Sequence, residues 1–347
     1  MPCRVRDIGL AVGPLPTGAG NTITDVAGVR VGHTTVWHDE PFVARTGVTV
    51  IHPAESPLQS NVTAGGAVLN GAGECTGFIG MQEWGLIETP IFLGSTHAVG
   101  RIYDAAVELC AVPDDITIPV VAECDDSFLS SPLPVAITRE HVAAAFDRAG
   151  TDVTEGCVGA GTGMSCLGFK GGIGTSSRRT PGGYTVGVLA MTNYGSQERL
   201  TIGGVGVGRL LAPGRSETPP DAGSSIVVVA TDAPLDALAC QRLARRAGLG
   251  LARTGSIASH GSGEIFIAFT TGRRIPFDAT SVDGPALANA AVSELFAATV
   301  DATEEAALNS IFMATTVVGR LGHTMLALPI DETVTILRAN GLDVHAP

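Results

Sequence analysis

The feature that most constrains this chain is a set of short, almost uninterrupted apolar runs bounded by turn residues. Examples are 116–123 (ITIPVVAE), 184–193 (YTVGVLAMTN) and 224–231 (SSIVVVAT). Their length and β-branched content are typical of strands, and their near-continuous hydrophobicity is typical of strands covered on both faces. The runs therefore predict sheets that are buried between other layers.

Helical patterns alternate with these runs. After 224–231, Asp232 is expected to cap a helix that has Pro234 in its first turn and ends at Gly248. Strands with intervening helices predict a layered α/β fold. The other predicted helices are 96–112, 138–150, 284–299 and 301–318.

Composition and charge exclude several classes of protein. The 347 residues are 45% hydrophobic, which is enough core for one broad domain spanning 1–347. A net charge of −13 argues against a nucleic-acid partner. No apolar run reaches the roughly 18 residues of a membrane span. The apolar run near the N-terminus is short and interrupted by glycine and proline, which is not typical of a signal peptide. We therefore expect a cytoplasmic protein with no membrane partner.

Metal and nucleotide sites are not indicated either. The seven cysteines form no CxxC pair and the eight histidines no HExxH, which predicts reduced thiols and no metal. The segment 159–163 (GAGTG) superficially resembles a dinucleotide fingerprint, which must follow a strand and open a helix. A predicted helix precedes it here, so the glycines favour close backbone packing around a pocket.

The segment 254–272 (TGSIASHGSGEIFIAFTTG) joins a polar, glycine-rich loop to a dense apolar strand, with Gly261 and Ser262 at the junction. One interpretation is a plain turn. The other is a nucleophile whose hydroxyl attacks the Gly261 carbonyl, where glycine tolerates a strained backbone. Hydrolysis of the resulting ester would leave Ser262 as a new N-terminus. Its amine, with an ordinary pKa of roughly 7.7–8.0, can act as base for its own hydroxyl.

Asn193 and Glu304 each have a structural and a chemical interpretation. Asn193 closes a predicted strand, so its amide either caps a turn or donates to an oxyanion. Glu304 follows Asp301 by three residues, which is the spacing of a capping box at a helix start. The same carboxylate is also able to orient the serine or its amine.

An acidic cluster ends the strand predicted at 116–123. It consists of Glu123, Asp125 and Asp126. Such a cluster is either a solvated turn or a site for the ammonium group of a substrate.

Taken together, these segments resemble the L-aminopeptidase/D-esterase family of self-processing N-terminal-nucleophile peptidases, which includes the β-peptidyl aminopeptidases. Several long blocks in order, across nearly the whole chain, make the resemblance more specific than any single motif. The blocks are 21–35 (NTITDVAGVRVGHTT), 70–77 (NGAGECTG), 119–123 (PVVAE), 161–178 (GTGMSCLGFKGGIGTSSR), 224–235 (SSIVVVATDAPL), 242–255 (RLARRAGLGLARTG) and 261–269 (GSGEIFIAF).

The resemblance implies a four-layer αββα sandwich that cleaves itself between Gly261 and Ser262. The products would be an α fragment, 1–261, and a β fragment, 262–347. The processed α/β pairs would form a homo-oligomer, often a tetramer. No cofactor and no metal are implied.

The resemblance also implies roles for individual residues. Ser262 would be the nucleophile, Asn193 an oxyanion donor and Glu304 a helper carboxylate. Glu123 would hold the free amine of the substrate, with Asp125 beside it.

The chain departs from the family pattern at two places. The family often has a serine two residues before the helper glutamate, and this chain has Ala302 there. Some members have a tyrosine two residues after the equivalent of Glu123, and this chain has Asp125. The first departure alters the expected hydrogen-bond relay, and the second affects oxyanion support and substrate choice.

The expected function is an aminopeptidase or amidase that releases an N-terminal residue from a small peptide, amide or ester through an acyl-enzyme on Ser262. Two alternatives remain open. One is an endo-acting amidase for oligomeric amides on the same scaffold. The other is a non-catalytic relative that binds small molecules, against which the presence of Gly261, Ser262 and Asn193 argues.

Overall fold

A computed structural model of the chain describes residues 1–54, 60–112, 115–212, 223–276, 279–281, 287 and 289–347. Within these ranges the strands are β1 (Arg30–His38), β2 (Ala44–His52), β3 (Ser60–Gly71), β4 (Leu86–Ile87), β5 (Ile91–Ser95), β6 (Val120–Cys124), β7 (Ser165–Cys166), β8 (Phe169–Lys170), β9 (Gly172–Arg179), β10 (Thr185–Asn193), β11 (Ser224–Thr231), β12 (Gly263–Pro276), β13 (Val317–Val318) and β14 (Thr324–Met325). The helices are α1 (Phe78–Trp84), α2 (Val99–Leu109), α3 (Arg139–Asp147), α4 (Val207–Leu210), α5 (Ala237–Thr254), α6 (Asn289–Phe312) and α7 (Ile330–Ala339).

Two sheets form the middle of the molecule. The smaller has the order β1-β2-β5-β6, and the larger has the order β4-β3-β12-β11-β10-β9. Neighbouring strands are antiparallel except for the pairs β5–β6 and β11–β12, which are parallel. The remaining strands form two short hairpins, β7-β8 and β13-β14.

Helices cover the outer face of each sheet, which confirms the four-layer αββα arrangement. In β12, Ile265 and Ile267 belong to the core between the two sheets, whereas Phe266 and Ala268 belong to the core beneath α5 and α6. A third core lies between the smaller sheet and α2 and α3. Because both faces of the strands are buried, the apolar runs show little alternation. Among the helices of the described ranges, none has the length and apolar content to span a bilayer.

The strands at 184–193 and 224–231 are confirmed within one residue, but the helix that follows them begins and ends later than predicted. Asp236 is its N-cap, and the Asp236 carboxylate accepts a first-turn backbone N–H at 2.7 Å. Asp232 instead accepts from the backbone N of Thr185 at 2.7 Å, at the start of β10. Gly248 lies inside α5, which ends at Gly255 with a left-handed φ of 116°.

The two helices predicted at 284–299 and 301–318 are one helix, α6, which spans Asn289–Phe312. The segment before residue 287 lies partly outside the described residues. Asp301 is in the interior of α6, so the capping box predicted for Asp301 and Glu304 is wrong. Both carboxylates meet Arg253 of α5 instead, at 2.7 and 3.2 Å from its Nη1.

A buried ion network joins the N-terminal segment to the larger sheet and to α6. Glu305 is fully buried, and Arg178 of β9 donates to its carboxylate at 2.6 Å. Arg6 donates to the same carboxylate at 2.8 Å, and the amide of Asn21 donates to it at 2.5 Å. The described ion pairs at Glu305 therefore hold three distant parts of the chain together.

Replacing Glu305 by alanine should lower the free energy of unfolding by about 3–5 kcal/mol, because Arg178 would remain charged and buried without its partner. Urea unfolding of the variant on a Ser262→Ala background would measure this change. Glu304→Ala on the same background is the matched control. It should cost clearly less, since its partner Arg253 is half exposed. Equal costs at the two positions would contradict this role of the network.

Candidate active site

Ser262 lies directly before the first residue of β12 and is 2% exposed. Its backbone N donates to Ser259 O at 2.8 Å, and its Oγ donates a short hydrogen bond to the carboxylate of Glu264. Residues two apart on a strand share a face, so the start of β12 positions this pair. The sequence analysis placed Ser262 at the junction of loop and strand, and the strand begins one residue later, at Gly263.

The loop before Ser262 is held by Asn70 at the end of β3. The Asn70 amide donates to Ser259 O at 2.8 Å and to Ser262 O at 2.6 Å, with a longer contact to His260 O at 3.3 Å. Near the junction, Ala258 has a left-handed backbone with a φ of 49°. Gly261 does not have a positive φ. The sequence analysis missed Asn70, although Asn70 opens the block 70–77.

Asn193 is brought close to Ser262 by the strand order. Asn193 pairs with Ser224 of β11, and Ser224 pairs with Gly263 of β12. Gly223 fills the space between them: a Cβ built there would stand 2.6 Å from Asn193 O and 3.4 Å from Ser262 Oγ. A side chain at position 223 would therefore separate the two residues.

The side chain of Asn193 faces the space between the sheets. Its Oδ1 accepts from Ser165 N at 2.8 Å, and its Nδ2 donates to Asp125 O at 2.8 Å. An amide carries two hydrogens, and this bond uses one of them. Glu264 shares the face of Phe266 and Ala268, which pack beneath the helices, whereas Asn193 shares the face of Leu189 and Met191, which lie between the sheets. Because Ser262 Oγ is bonded to Glu264, the hydroxyl and the Asn193 amide lie on opposite faces at the end of the sheet in the continuous chain.

Glu123 is buried close to the predicted cleavage site. Its carboxylate accepts from Glu74 N at 3.0 Å and from the Thr96 hydroxyl in a short hydrogen bond. A Cβ built on Gly73 would stand 3.0 Å from Glu123 Oε1 and 3.7 Å from Gly263 Cα. Burial is the main cause that raises the pKa of the Glu123 carboxyl above its usual value.

The other two members of the acidic cluster have different environments. Asp125 is exposed, and its carboxylate accepts from the backbone N and the hydroxyl of Ser127 at 2.8 and 3.0 Å. Asp126 is buried, which raises its pKa to about 7, and it lines a small cavity together with Thr46 and His97. Glu123 approaches Gly263, whereas Asp125 and Asp126 both line this cavity. A shared role of Glu123 and Asp125 at a substrate ammonium group stays a prediction.

Glu304 is not brought to Ser262 by any described contact. It pairs with Arg253, and burial is the main cause that raises its pKa. Glu304 is linked to the site only indirectly. Its partner Arg253 is followed in α5 by Thr254, whose hydroxyl shares a hydrogen bond of 2.8 Å with the hydroxyl of Tyr194, the residue after Asn193. The helper role implied for Glu304 stays a prediction.

The carboxylate that does contact the Ser262 hydroxyl, Glu264, was missed by the sequence analysis. A signal was present, since Glu264 lies two residues after the proposed nucleophile in a predicted strand. At the position where the family often has serine, Ala302 is fully buried, and its backbone O accepts from Ser176 Oγ at 2.8 Å.

The glycine-rich segment packs around a buried cation. Lys170 is fully buried, and its Nζ donates to the carbonyls of Gly161, Met164 and Gly171 at 3.1, 2.6 and 2.7 Å. The glycines thus allow close backbone approach around the Lys170 side chain, and the pocket predicted for this segment stays a prediction. All seven cysteines are free thiols, and all but Cys157 are buried. In the described part of the chain, no group of three or more His, Cys, Asp or Glu side chains is placed to hold a metal ion.

Comparison with known proteins finds a matching family model and similar proteins, among them aminopeptidases. The model of "Peptidase family S58" matches residues 21–325. The β-peptidyl aminopeptidase BapA of Sphingosinicella xenopeptidilytica is 40% identical, with 97% of this chain and 91% of that protein covered.

Two solved structures are similar over almost the whole chain. The β-aminopeptidase of a Burkholderia species has a TM-score of 0.92 at 39% identity, with 98% of this chain and 99% of that chain covered. The L-aminopeptidase D-Ala-esterase/amidase of Ochrobactrum anthropi has a TM-score of 0.91 at 36% identity, with 97% and 99% covered. That structure is described as a prototype for the serine aminopeptidases and a variant of the Ntn hydrolase fold.

Proposed function

This chain belongs to peptidase family S58 and is a hydrolase of the aminopeptidase class, and we propose that it cuts itself between Gly261 and Ser262 to free a serine nucleophile. The processed enzyme then releases N-terminal residues from small peptides, amides or esters. The observation that carries the proposal is that Ser262 and Asn193 lie at the same end of the larger sheet, with Glu123 of the smaller sheet near Gly263.

The burial of Ser262 supports self-cleavage. With the residue 2% exposed and its hydroxyl bonded to Glu264, a substrate has no access to it in the continuous chain. Cleavage after Gly261 would release the loop that ends there and convert the Ser262 amide to an amine. Nucleophile and base would then belong to the same residue.

The proposed turnover begins when the Ser262 amine accepts the proton of Oγ and Oγ attacks the substrate carbonyl carbon. The tetrahedral oxyanion would be stabilised by the Asn193 amide. Return of the proton to the departing amine or alcohol leaves an acyl-enzyme. Water then attacks this ester, with the Ser262 amine again as base, and frees the acid product and the hydroxyl.

Glu123 would select substrates with a free N-terminal amine. Its carboxylate is buried, lies near Gly263, and already accepts two hydrogen bonds that hold it in place. A substrate ammonium group next to it would gain an ion pair that is shielded from water. This arrangement favours the aminopeptidase over the endo-acting amidase.

N-acetylated peptides should therefore be turned over with a kcat/KM at least roughly 30-fold below that of free peptides, because losing one partner of a buried charge pair costs about 2–5 kcal/mol. Glu123→Gln should produce a similar loss with free peptides. Glu108→Gln, an exposed change on α2, is the control and should keep wild-type kinetics. Equal turnover of acetylated and free peptides would favour the endo-acting amidase. A chain that neither cuts itself nor hydrolyses any of them would favour the non-catalytic relative.

The KM for such peptides should rise as the pH falls. Burial raises the pKa of the Glu123 carboxyl, so Glu123 becomes neutral at a higher pH than an exposed glutamate. The neutral carboxyl no longer forms an ion pair with the ammonium group of the substrate, and the substrate binds more weakly. Initial rates across the acid range would show this rise in the wild type and its loss in Glu123→Gln. An acid limb shared by both proteins would assign it to another group.

Assembly into a homo-oligomer of processed α/β pairs is part of the proposal. Light scattering of the cut protein would measure its size. A mass equal to one chain would contradict the tetramer.

A further inference from the structure

We infer that Glu264 is the general base of the self-cleavage step, taking the proton of the Ser262 hydroxyl as it attacks the Gly261 carbonyl. The inference rests on the proposed self-processing and extends it, because that proposal supplies a base only after cleavage. It assigns a catalytic residue to a step that comes before the mature enzyme exists.

The continuous chain needs such a base. Before cleavage the Ser262 nitrogen belongs to a peptide bond, where its lone pair is delocalised, and its hydrogen is donated to Ser259 O at 2.8 Å. It is therefore unable to accept the proton of its own hydroxyl. Asn193 carries no basic group, and both oxygens of Glu123 already accept hydrogen bonds from Glu74 and Thr96.

Glu264 meets the geometric requirement. Ser262 Oγ donates to Glu264 Oε1 directly, so no movement of either side chain is needed to start the proton transfer. Glu264 is fully buried, and its other oxygen, Oε2, has no hydrogen-bond partner among the described residues. The carboxylate is thus poorly solvated, and this favours acceptance of a proton.

The electrostatic surroundings point the same way. Burial raises the pKa of Glu264 above its usual value, which makes its carboxylate a stronger base. Among the described residues, the titratable groups Tyr194 and Cys124 interact with it. Burial also raises the pKa of both, so they remain neutral where a carboxylate titrates. No described cation pairs with Glu264 to hold its proton affinity down.

The step balances as an N-to-O acyl shift followed by hydrolysis. Glu264 takes the Oγ proton while Oγ bonds to the Gly261 carbonyl carbon. The bond from that carbon to the Ser262 nitrogen then breaks, and the proton passes from Glu264 to the nitrogen, giving an ester and an amine. Water cleaves the ester, leaving a carboxylate on Gly261 and the free hydroxyl and amine on Ser262.

The experiment follows cleavage of the full chain after a short pulse of cell-free synthesis, read by gel and intact mass. Glu264→Gln keeps the size of the side chain but removes its basicity. It should lower the cleavage rate constant by about 100-fold or more. Glu264→Asp keeps a carboxylate on a shorter stem and should cleave at an intermediate rate. Comparing the Tm of Ser262→Ala with that of the Ser262→Ala, Glu264→Gln double variant reports whether the fold is retained.

A pH series separates the chemical role from a structural one. The wild-type cleavage rate should fall as the pH drops through the raised pKa of Glu264, and Glu264→Gln should lose this limb. A Glu264→Gln chain that cleaves at the wild-type rate, or a wild-type rate that is flat across the acid range, would overturn the inference. The second result decides the matter even if Glu264→Gln fails to fold. A wild-type chain that never cleaves would instead refute the proposed self-processing.

Discussion

Ser262→Ala is expected to remain one uncut chain without aminopeptidase activity, whereas the wild-type chain is expected to yield fragments 1–261 and 262–347. The smaller fragment should begin Ser-Gly-Glu-Ile-Phe. The effect should be all-or-none, because one hydroxyl group serves as nucleophile in both cleavage and turnover. Intact-mass measurement and N-terminal sequencing of the purified proteins would check it.

The matched control for this change is Ser259→Ala. Ser259 lies in the same loop, but its described contacts to Ser262 and Asn70 are made by its backbone carbonyl, which the substitution leaves in place. Ser259→Ala should therefore cut itself and turn over substrate like the wild type. Complete processing of Ser262→Ala would remove Ser262 from the mechanism.

Asn193→Ala is expected to lower kcat by about 10²–10³ and to leave KM near its wild-type value. The reason is that the oxyanion develops only in the transition state, so a donor aimed at it contributes little to substrate binding. Steady-state kinetics with a free peptide would measure the two parameters. Asn340→Ala, on the exposed end of α7, is the control and should leave both unchanged.

Two features of the structure shape that measurement. Self-cleavage passes through a similar tetrahedral state, so kcat must be normalised to the fraction of cut chains, determined by intact mass. The substitution also removes the partners of Ser165 N and Asp125 O, so the Tm of the variant must be compared with that of the wild type. If the normalised kcat equals that of the wild type, the Asn193 amide has only a structural role.

Much of the fold was accessible from local patterns. The runs that became β10 and β11 were recognisable because a strand needs only a short β-branched segment and turn residues at its ends. The run at 116–123 was less accurate, and only Val120–Cys124 forms a strand. Pro119 has no N–H to donate to a ladder, and the strand begins directly after it.

Helix boundaries depended on contacts that local patterns do not contain. Asp232 and Asp236 are both reasonable caps by residue type, and the choice fell on Asp236 because Asp232 is engaged by Thr185 of a distant strand. In the same way, the sequence pattern around Asp301 suggested a helix cap because it contains no information about Arg253. The long-range ion pair satisfies its carboxylate, so the helix continues through it.

The sequence by itself determined a layered α/β fold and the position of the Gly261–Ser262 junction, because these follow from local patterns. The αββα layers were implied only by the resemblance of ordered blocks of residues to a peptidase family. Only the tertiary structure decided which polar groups meet. Asn193 reaches Ser262 through the order β10-β11-β12, and Glu123 reaches Gly263 across the small volume of Gly73. Glu304 forms an ion pair with Arg253, and Glu264 accepts a hydrogen bond from the Ser262 hydroxyl. The physical reason is that strand order and packing between layers join residues far apart in the chain, and local pattern carries no information about such pairs.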